Sequence, residues 1–207
     1  KAGTRPSSDK LSIKTDSEGK YSFTPTAEEY SIVILSDEGY AFVAKNELAT
    51  NKNISLTAWS KLEGILKIGD KPGKEETIIY NPKSPPQLTG LFFDFQAKTD
   101  ENGKFVFDRI FSGEGTVTRQ LRTGNTLLLN THTMQVNTLA GQTANVQIGG
   151  TGRTVTGKII IPEQIRGRTN WQFIQANLNI SSKDNPYLLI SFVIDRDGSF
   201  HIDDVPE

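Results

Sequence analysis

Cysteine is absent from the 207 residues, which excludes disulfides, thiolate metal sites and cysteine nucleophiles. Histidine is nearly absent: His132 and His201 are the only two. Zinc takes three or four protein ligands at defined spacing, so two isolated imidazoles fall short of a zinc site unless carboxylates join them. No G-x-S-x-G elbow or comparable nucleophile motif accompanies either ring. His201 falls between Phe200 and Ile202 and His132 lies in the polar run Asn130-Thr131-His132-Thr133; both are expected to be ordinary surface residues. A dominant charge is missing too. The 23 Lys and Arg stand against 24 Asp and Glu, for a net charge of −1, and they are spread along the chain, so there is no basic face of the kind nucleic acid requires. No run approaches the roughly 18 apolar residues of a membrane helix. What is present, 35% hydrophobic residues, suffices for one or two globular domains.

The most informative stretch is Asp100-Glu101-Asn102-Gly103-Lys104-Phe105-Val106-Phe107, because it occurs three times. Asp16-Ser17-Glu18-Gly19-Lys20-Tyr21-Ser22-Phe23 precedes it and Asp195-Arg196-Asp197-Gly198-Ser199-Phe200-His201-Ile202 follows it. Asp at the first turn position bonds the backbone ahead of it, and Gly three residues on accepts positive φ. The aromatic-x-apolar alternation then puts two side chains on one sheet face, which together make a hairpin signature. The three aspartates are 84 and 95 residues apart. A second landmark keeps this rhythm: Leu62-Glu63-Gly64-Ile65-Leu66 matches Val155-Thr156-Gly157-Lys158-Ile159, with the glycines 93 apart. Two landmarks with one period predict tandem modules of roughly 90 residues, the size of a small Ig-like β-sandwich.

The expected architecture is therefore all-β: a complete seven-stranded module over 59–149, flanked by incomplete modules at 1–58 and 150–207. In the middle module, alternation and turn residues predict strands at 64–68, 76–80, 91–98, 104–107, 115–121, 127–136 and 143–148. The first module is read as strands at 30–35, 39–43 and 53–57, and the last as strands at 154–161, 171–181, 187–194 and 199–202. A sandwich missing strands exposes an apolar face and an edge, and the chain begins without Met, so it is expected to be a piece of a longer array.

Each turn-plus-strand block, of the form Asp-x-x-Gly-Lys-Phe-x-Phe, resembles the carboxypeptidase regulatory-like module, also described as prealbumin-like or transthyretin-like. Ile54-Ser55-Leu56-Thr57-Ala58-Trp59-Ser60-Lys61-Leu62-Glu63-Gly64 is similar to the junction between such modules in large envelope proteins of planctomycete-type bacteria. The resemblance implies a β-sandwich that accompanies other domains and carries no active site. In carboxypeptidases that bear it, catalysis belongs to a separate zinc domain, so no catalytic residue and no cofactor carries over. It also implies a secreted, periplasmic or cell-surface location, with other domains of the same polypeptide or envelope proteins as partners. The chain departs from the pattern at its truncated ends, at Ser199 where the other copies have Lys, and in the long stretch from Trp171 to Asn185.

Several motifs invite chemistry. Asp195-Arg196-Asp197-Gly198 offers oxygens at alternating positions, but a calcium loop of the EF-hand type needs a bidentate Glu about six residues past the Gly, and none of the three copies supplies one. Gly149-Gly150-Thr151-Gly152-Arg153 looks like a phosphate loop but lacks Gly-Lys-Ser/Thr and leads into a strand, so it is read as a flexible joint between modules. Residues 58–60 form the other joint, with Trp59 wedged between sandwiches. Lys67 and Asn145 lie on the first and last strands of the middle module, where some surface sandwiches form a Lys–Asn crosslink. Trp171, Phe173 and Tyr187, near several amides, form the candidate ligand site: either a glycan platform or, since Trp171 and Phe173 alternate, core packing. The expected function is a non-catalytic structural and interaction segment. The alternatives are a carbohydrate-binding module and an accessory domain of an enzyme whose catalytic part lies elsewhere.

Overall fold

The computed structural model describes residues 3–6, 13–25, 27–83, 91–123, 127–160, 162–166, 175–180, 188–195 and 197–205. The first segment contains β1 (Gly3–Pro6), β2 (Ser31–Leu35), β3 (Gly39–Ala44), α1 (Lys45–Thr50) and β4 (Thr57–Ala58). Next come β5 (Ser60–Ile68), β6 (Lys71–Pro72), β7 (Thr77–Pro82), β8 (Leu91–Lys98), β9 (Lys104–Ile110), β10 (Gly113–Thr123), β11 (Leu127–Thr138) and β12 (Thr143–Ile148). The last segment adds β13 (Arg153–Lys158), α2 (Glu163–Arg166), β14 (Gln175–Ile180), β15 (Leu188–Val193) and β16 (Ser199–Val205).

The chain is all-β in character. A seven-stranded antiparallel sheet runs β1-β8-β7-β10-β11-β15-β14, so strands from all three segments share it. The facing sheet is built on β5, which holds β12 in parallel on one edge and β9 antiparallel on the other. Period-two alternation explains the two layers. Leu62, Leu66, Phe105, Phe107 and Ile148 of the small sheet are buried against Ile78, Tyr80, Phe95 and Val117 of the large one. Each such side chain contributes roughly 1.5–3 kcal/mol by leaving water. Phe111, just past β9, plugs one end of this core, edge-on to Tyr40, Phe42, Phe93 and Phe95 and stacked on Trp59. A smaller cluster of Ile190, Ile202 and Val205, with Val155, Leu178, Phe192 and Phe200 against it, lies between β14–β15 and β13–β16.

The two sequence landmarks turn out to be cross-strand partners. Gly64 pairs with Phe105 and Gly157 with Phe200, and each aromatic ring lies over its glycine. A Cβ on Gly64 would stand 2.2 Å from the Phe105 ring, and one on Gly157 would stand 2.3 Å from the Phe200 ring. Their shared period is thus one packing unit made twice.

The three acidic turns share a backbone ring. The Asp16, Asp100 and Asp195 amides donate to the carbonyls four residues on, at 3.0, 2.9 and 2.8 Å, and the following glycine amides return to the Asp carbonyls. The hairpin expectation is corrected here. Beyond the ring the strands part, because β8 is paired with β7 and β1 while β9 is paired with β5, and likewise β15 and β16 enter different sheets. Each of these two turns is a corner from one sheet to the other.

The structure bears on three further readings. Of the strand read at 53–57, only Thr57 pairs, together with Ala58, on β3, and the helix α1 lies between it and β3, where no element was read. Lys67 and Asn145 are not brought together: Asn145 stands opposite Glu63, four positions from Lys67, or roughly 13 Å along the strand. The glycine joint at 149–153 is closely packed at Gly149, Gly150 and Gly152.

Candidate functional site

The joint between the middle and last segments is the most organised polar site among the described residues. It starts from a β-bulge. Val117 of β10 faces Met134 and Arg119 faces Thr131, so His132 and Thr133 together stand opposite Thr118. His132 takes a left-handed φ of 51°, and a bulge of this kind re-aims its side chain. Thr133 is hydrogen-bonded to Thr118 through their hydroxyls and is the β11 residue that pairs with Leu189 of β15.

His132, expected on the surface, is only 6% exposed. Its Nε2 lies 3.1 Å from the Asp203 carbonyl and its Nδ1 lies 3.1 Å from the Thr131 hydroxyl. A carbonyl only accepts, so Nε2 carries the proton and Nδ1 accepts from Thr131. Burial lowers the imidazole pKa from its ordinary value, and the nearby Arg119 charge adds to this, against the opposing pull of the Asp203 carbonyl bond and the Asp204 and Asp203 charges. The ring is therefore neutral near pH 7. A hydroxyl on a neutral imidazole is the pairing of a nucleophile with its base, but here both side chains are sealed in the sheet.

Asp204 completes the joint. It is buried, in a left-handed conformation, and its Oδ2 accepts the Gly69 amide at 3.0 Å while its Oδ1 accepts the Gly150 amide at 2.7 Å. One carboxylate thus ties β16 to the β5–β6 turn and to the glycine joint. A Cβ on Gly149 would meet the Lys67 carbonyl at 2.3 Å and the Asp204 carboxylate at 2.8 Å, so this glycine permits close packing. Asp203 accepts Thr154 and His201 on its own carboxylate at 3.0 and 2.9 Å. His201 is exposed, as its alternation implies. Beside the bulge, Arg119 pairs with Glu76 at 2.8 Å, and its Nε is buried without a partner among the described residues.

In the acidic turns one carboxylate oxygen accepts from the turn itself. Asp100 Oδ1 accepts the Asn102 and Lys104 amides, and Asp16 Oδ1 accepts those of Glu18 and Lys20. Asp197 bonds Ser199 through its amide and hydroxyl and Lys158 through its ammonium, which together hold its carboxyl well below the usual range. Among the described residues no group of three or more metal-ligating side chains converges.

One surface escaped the sequence reading. The outer face of β12-β5-β9 forms a shallow concavity lined by Glu63, Ile65, Lys104, Val106, Asn145 and Gln147. Its cross-strand rows are Asn145–Glu63–Val106 and Gln147–Ile65–Lys104. Ile65 and Val106 are 37% and 43% exposed, and Glu63 pairs with Lys61 at 2.7 Å. The strands were legible singly, but their order, which brings these rows together, was not. Trp171, Phe173 and Tyr187 lie outside the described residues. On neighbouring β14, Asn177 and Asn179 are exposed and Leu178 packs inward.

No family model matches the chain, and comparison with curated proteins finds no relative. Among solved structures, a proposed carbohydrate-binding protein of Pseudomonas aeruginosa aligns over 47% of this chain and 92% of its own, at 18% identity and a TM-score of 0.32. A DUF3823 family protein of Parabacteroides merdae aligns over 70% of this chain and 79% of its own, also at 18% identity, with a TM-score of 0.29.

Proposed function

We propose that this chain is a non-catalytic structural and interaction segment of a larger secreted or cell-envelope protein, in which tandem β-sandwich units of carboxypeptidase regulatory-like kind hold other domains at fixed spacing. The observation that carries the reading is the joint at 149–153. Three separate ties converge on it: the Thr133–Leu189 strand pairing, the His132–Asp203 bond and the Asp204 bridge between Gly69 and Gly150. A connector that only links two bodies is exposed and conformationally loose. Burying a carboxylate costs free energy unless its bonds are made, and these bonds support a fixed angle between segments. The opposite joint supports the same reading: Trp59 donates its Nε1 proton to the Ser36 carbonyl at 2.8 Å and stacks on Phe111.

Because the chain has no cysteine, spin labels at Asn102→Cys and Asn179→Cys report the relation of the two segments cleanly. A rigid joint gives one narrow distance distribution between the labels. A broad distribution spanning several nanometres would overturn the proposal. Asp204→Ala is expected to widen it.

A further inference from the structure

We propose that His132 is an acid-sensitive latch on the joint between the middle and last segments: a proton taken up by its buried ring frees β16 from β11 and lets the last segment part from the middle sandwich. Among the described residues β11 meets β15 at one registered pair, Thr133 with Leu189, and His132 stands beside it on the bulge. From there the Nε2 proton reaches the Asp203 carbonyl of β16 at 3.1 Å. That carbonyl belongs to the planar peptide unit that leads into Asp204. Asp204 in turn accepts the Gly69 and Gly150 amides at 3.0 and 2.7 Å, so a shift of the Asp203 carbonyl disturbs both of those bonds. One ring therefore bears on the carboxylate bridge as well as on its own bond.

The closed joint is satisfied by the neutral ring alone. Nε2 donates and Nδ1 accepts from the Thr131 hydroxyl at 3.1 Å, so both nitrogens are paired. A second proton, on Nδ1, would meet the Thr131 hydrogen until that hydroxyl turned, and Thr131 is only 1% exposed. The new charge would also be held from water among partners already engaged. Arg119 of β10 opposes it, and Glu76, just before β7, is paired with Arg119 at 2.8 Å. Asp203 and Asp204 of β16 attract it. The Asp203 carboxylate, however, is bonded to His201 and Thr154, and that of Asp204 to the two glycine amides. Burial outweighs their pull. Once β16 lifts, the ring meets water and takes a proton at its ordinary 6.5. The closed form is thus favoured above pH 6.5 and loses ground as pH falls below it, because the open form alone binds the proton. Between pH 7.5 and pH 5.0 this linkage raises the opening constant by up to about 30-fold.

The latch rests on the rigid-joint reading above, and the two failures are distinguishable. A Gly150 amide without protection from exchange at pH 7.5 would sink both, whereas equal protection at pH 7.5 and pH 5.0 sinks the latch alone. Hydrogen exchange is followed by NMR at the two pH values, with each amide referred to its unstructured rate at the same pH. Opening at Gly69 and Gly150 is expected to rise by about threefold to thirtyfold at pH 5.0. The Ile79 amide, on β7 between β8 and β10 in the large sheet, is expected to change less than about twofold. His132→Gln retains an N–H for the Asp203 carbonyl and does not titrate, so it is expected to lose the rise, while His201→Gln keeps it. A wild-type rise below about threefold, a rise of threefold or more in His132→Gln, or loss of the rise in His201→Gln would overturn the proposal. So would an Ile79 change of about twofold or more, which marks unfolding of the whole chain. The wild-type and His201→Gln measurements stand whether or not His132→Gln folds.

Discussion

Gly64→Ala tests whether the glycine beneath the Phe105 ring sets the repeat. Gly64 has no left-handed φ, so at an open strand position alanine would stabilise by about 0.4–1 kcal/mol through the unfolded chain. Here the new methyl would lie 2.2 Å from Phe105 Cζ and under 3 Å from both Cε atoms. Phe105 is 2% exposed and touches Phe107 at a centroid distance of 6.0 Å, so the ring has nowhere to swing. Overpacking of this kind costs about 1–3 kcal/mol, which outweighs the backbone gain and leaves Gly64→Ala about 1–2 kcal/mol less stable. For a chain of this length each kcal/mol lowers Tm by about 2–4 °C. The assay is a double-mutant cycle by urea denaturation with Phe105→Leu, which shortens the ring that clashes. The single Phe105→Leu variant loses stability, yet the double variant is expected to be at least 1 kcal/mol more stable than additivity predicts. Gly157→Ala provides an internal comparison, because Phe200 is only half-buried and can yield; its cost is expected to be smaller. A neutral Gly64→Ala, or an additive cycle, would refute the steric account.

Other expectations follow from the core and the joint. Unfolded, His132 titrates at its ordinary 6.5, whereas burial lowers the folded value. The His132 contribution to stability is therefore level above pH 6.5 and falls as pH drops below it, where the unfolded chain binds a proton that the folded chain refuses. Urea midpoints from pH 8 to pH 5 measure the slope, and His132→Gln flattens it. Asp204→Ala leaves the Gly69 and Gly150 amides without their acceptor and costs about 2–3 kcal/mol by calorimetry. In hydrogen exchange those two amides open first. Phe111→Ala empties the end of the core, costs about 3–5 kcal/mol, and red-shifts Trp59 emission as water reaches the indole.

Local chemistry was legible in the sequence, whereas long-range partnership was not. Alternation placed seven of the eight strands of 59–149, missing only the two-residue, exposed β6, which was read as turn, and the Asp-x-x-Gly ring formed in all three copies because its bonds span four residues. The corner was missed because whether β8 and β9 stay together depends on β7 and β5, which compete for their edges from far along the chain. His132 was misplaced for a related reason. Its polar neighbours signalled exposure, but a one-residue bulge opposite Thr118 turned it inward, and only the register of β10 with β11 reveals it. The signal at the glycine joint was ambiguous, since the same residues that permit flexibility permit a backbone to be gripped closely, and the gripping residue, Asp204, lies 54 positions away. The pairing of Gly64 with Phe105 could have been guessed from two landmarks that share one spacing.

The parallel pairing of β12 with β5 has a mechanical consequence. The chain enters the middle sandwich at the start of β5 and leaves it at the end of β12. Tension applied at the start of β5 and the end of β12 therefore draws these adjacent strands past each other along their length. All six registered positions between Lys61 and Leu66 share that load at once. Strands pulled apart from one end would surrender their bonds singly, like a zipper, but this geometry requires them to break together. Stretched from its ends, the middle sandwich resists as a lap joint does, in shear.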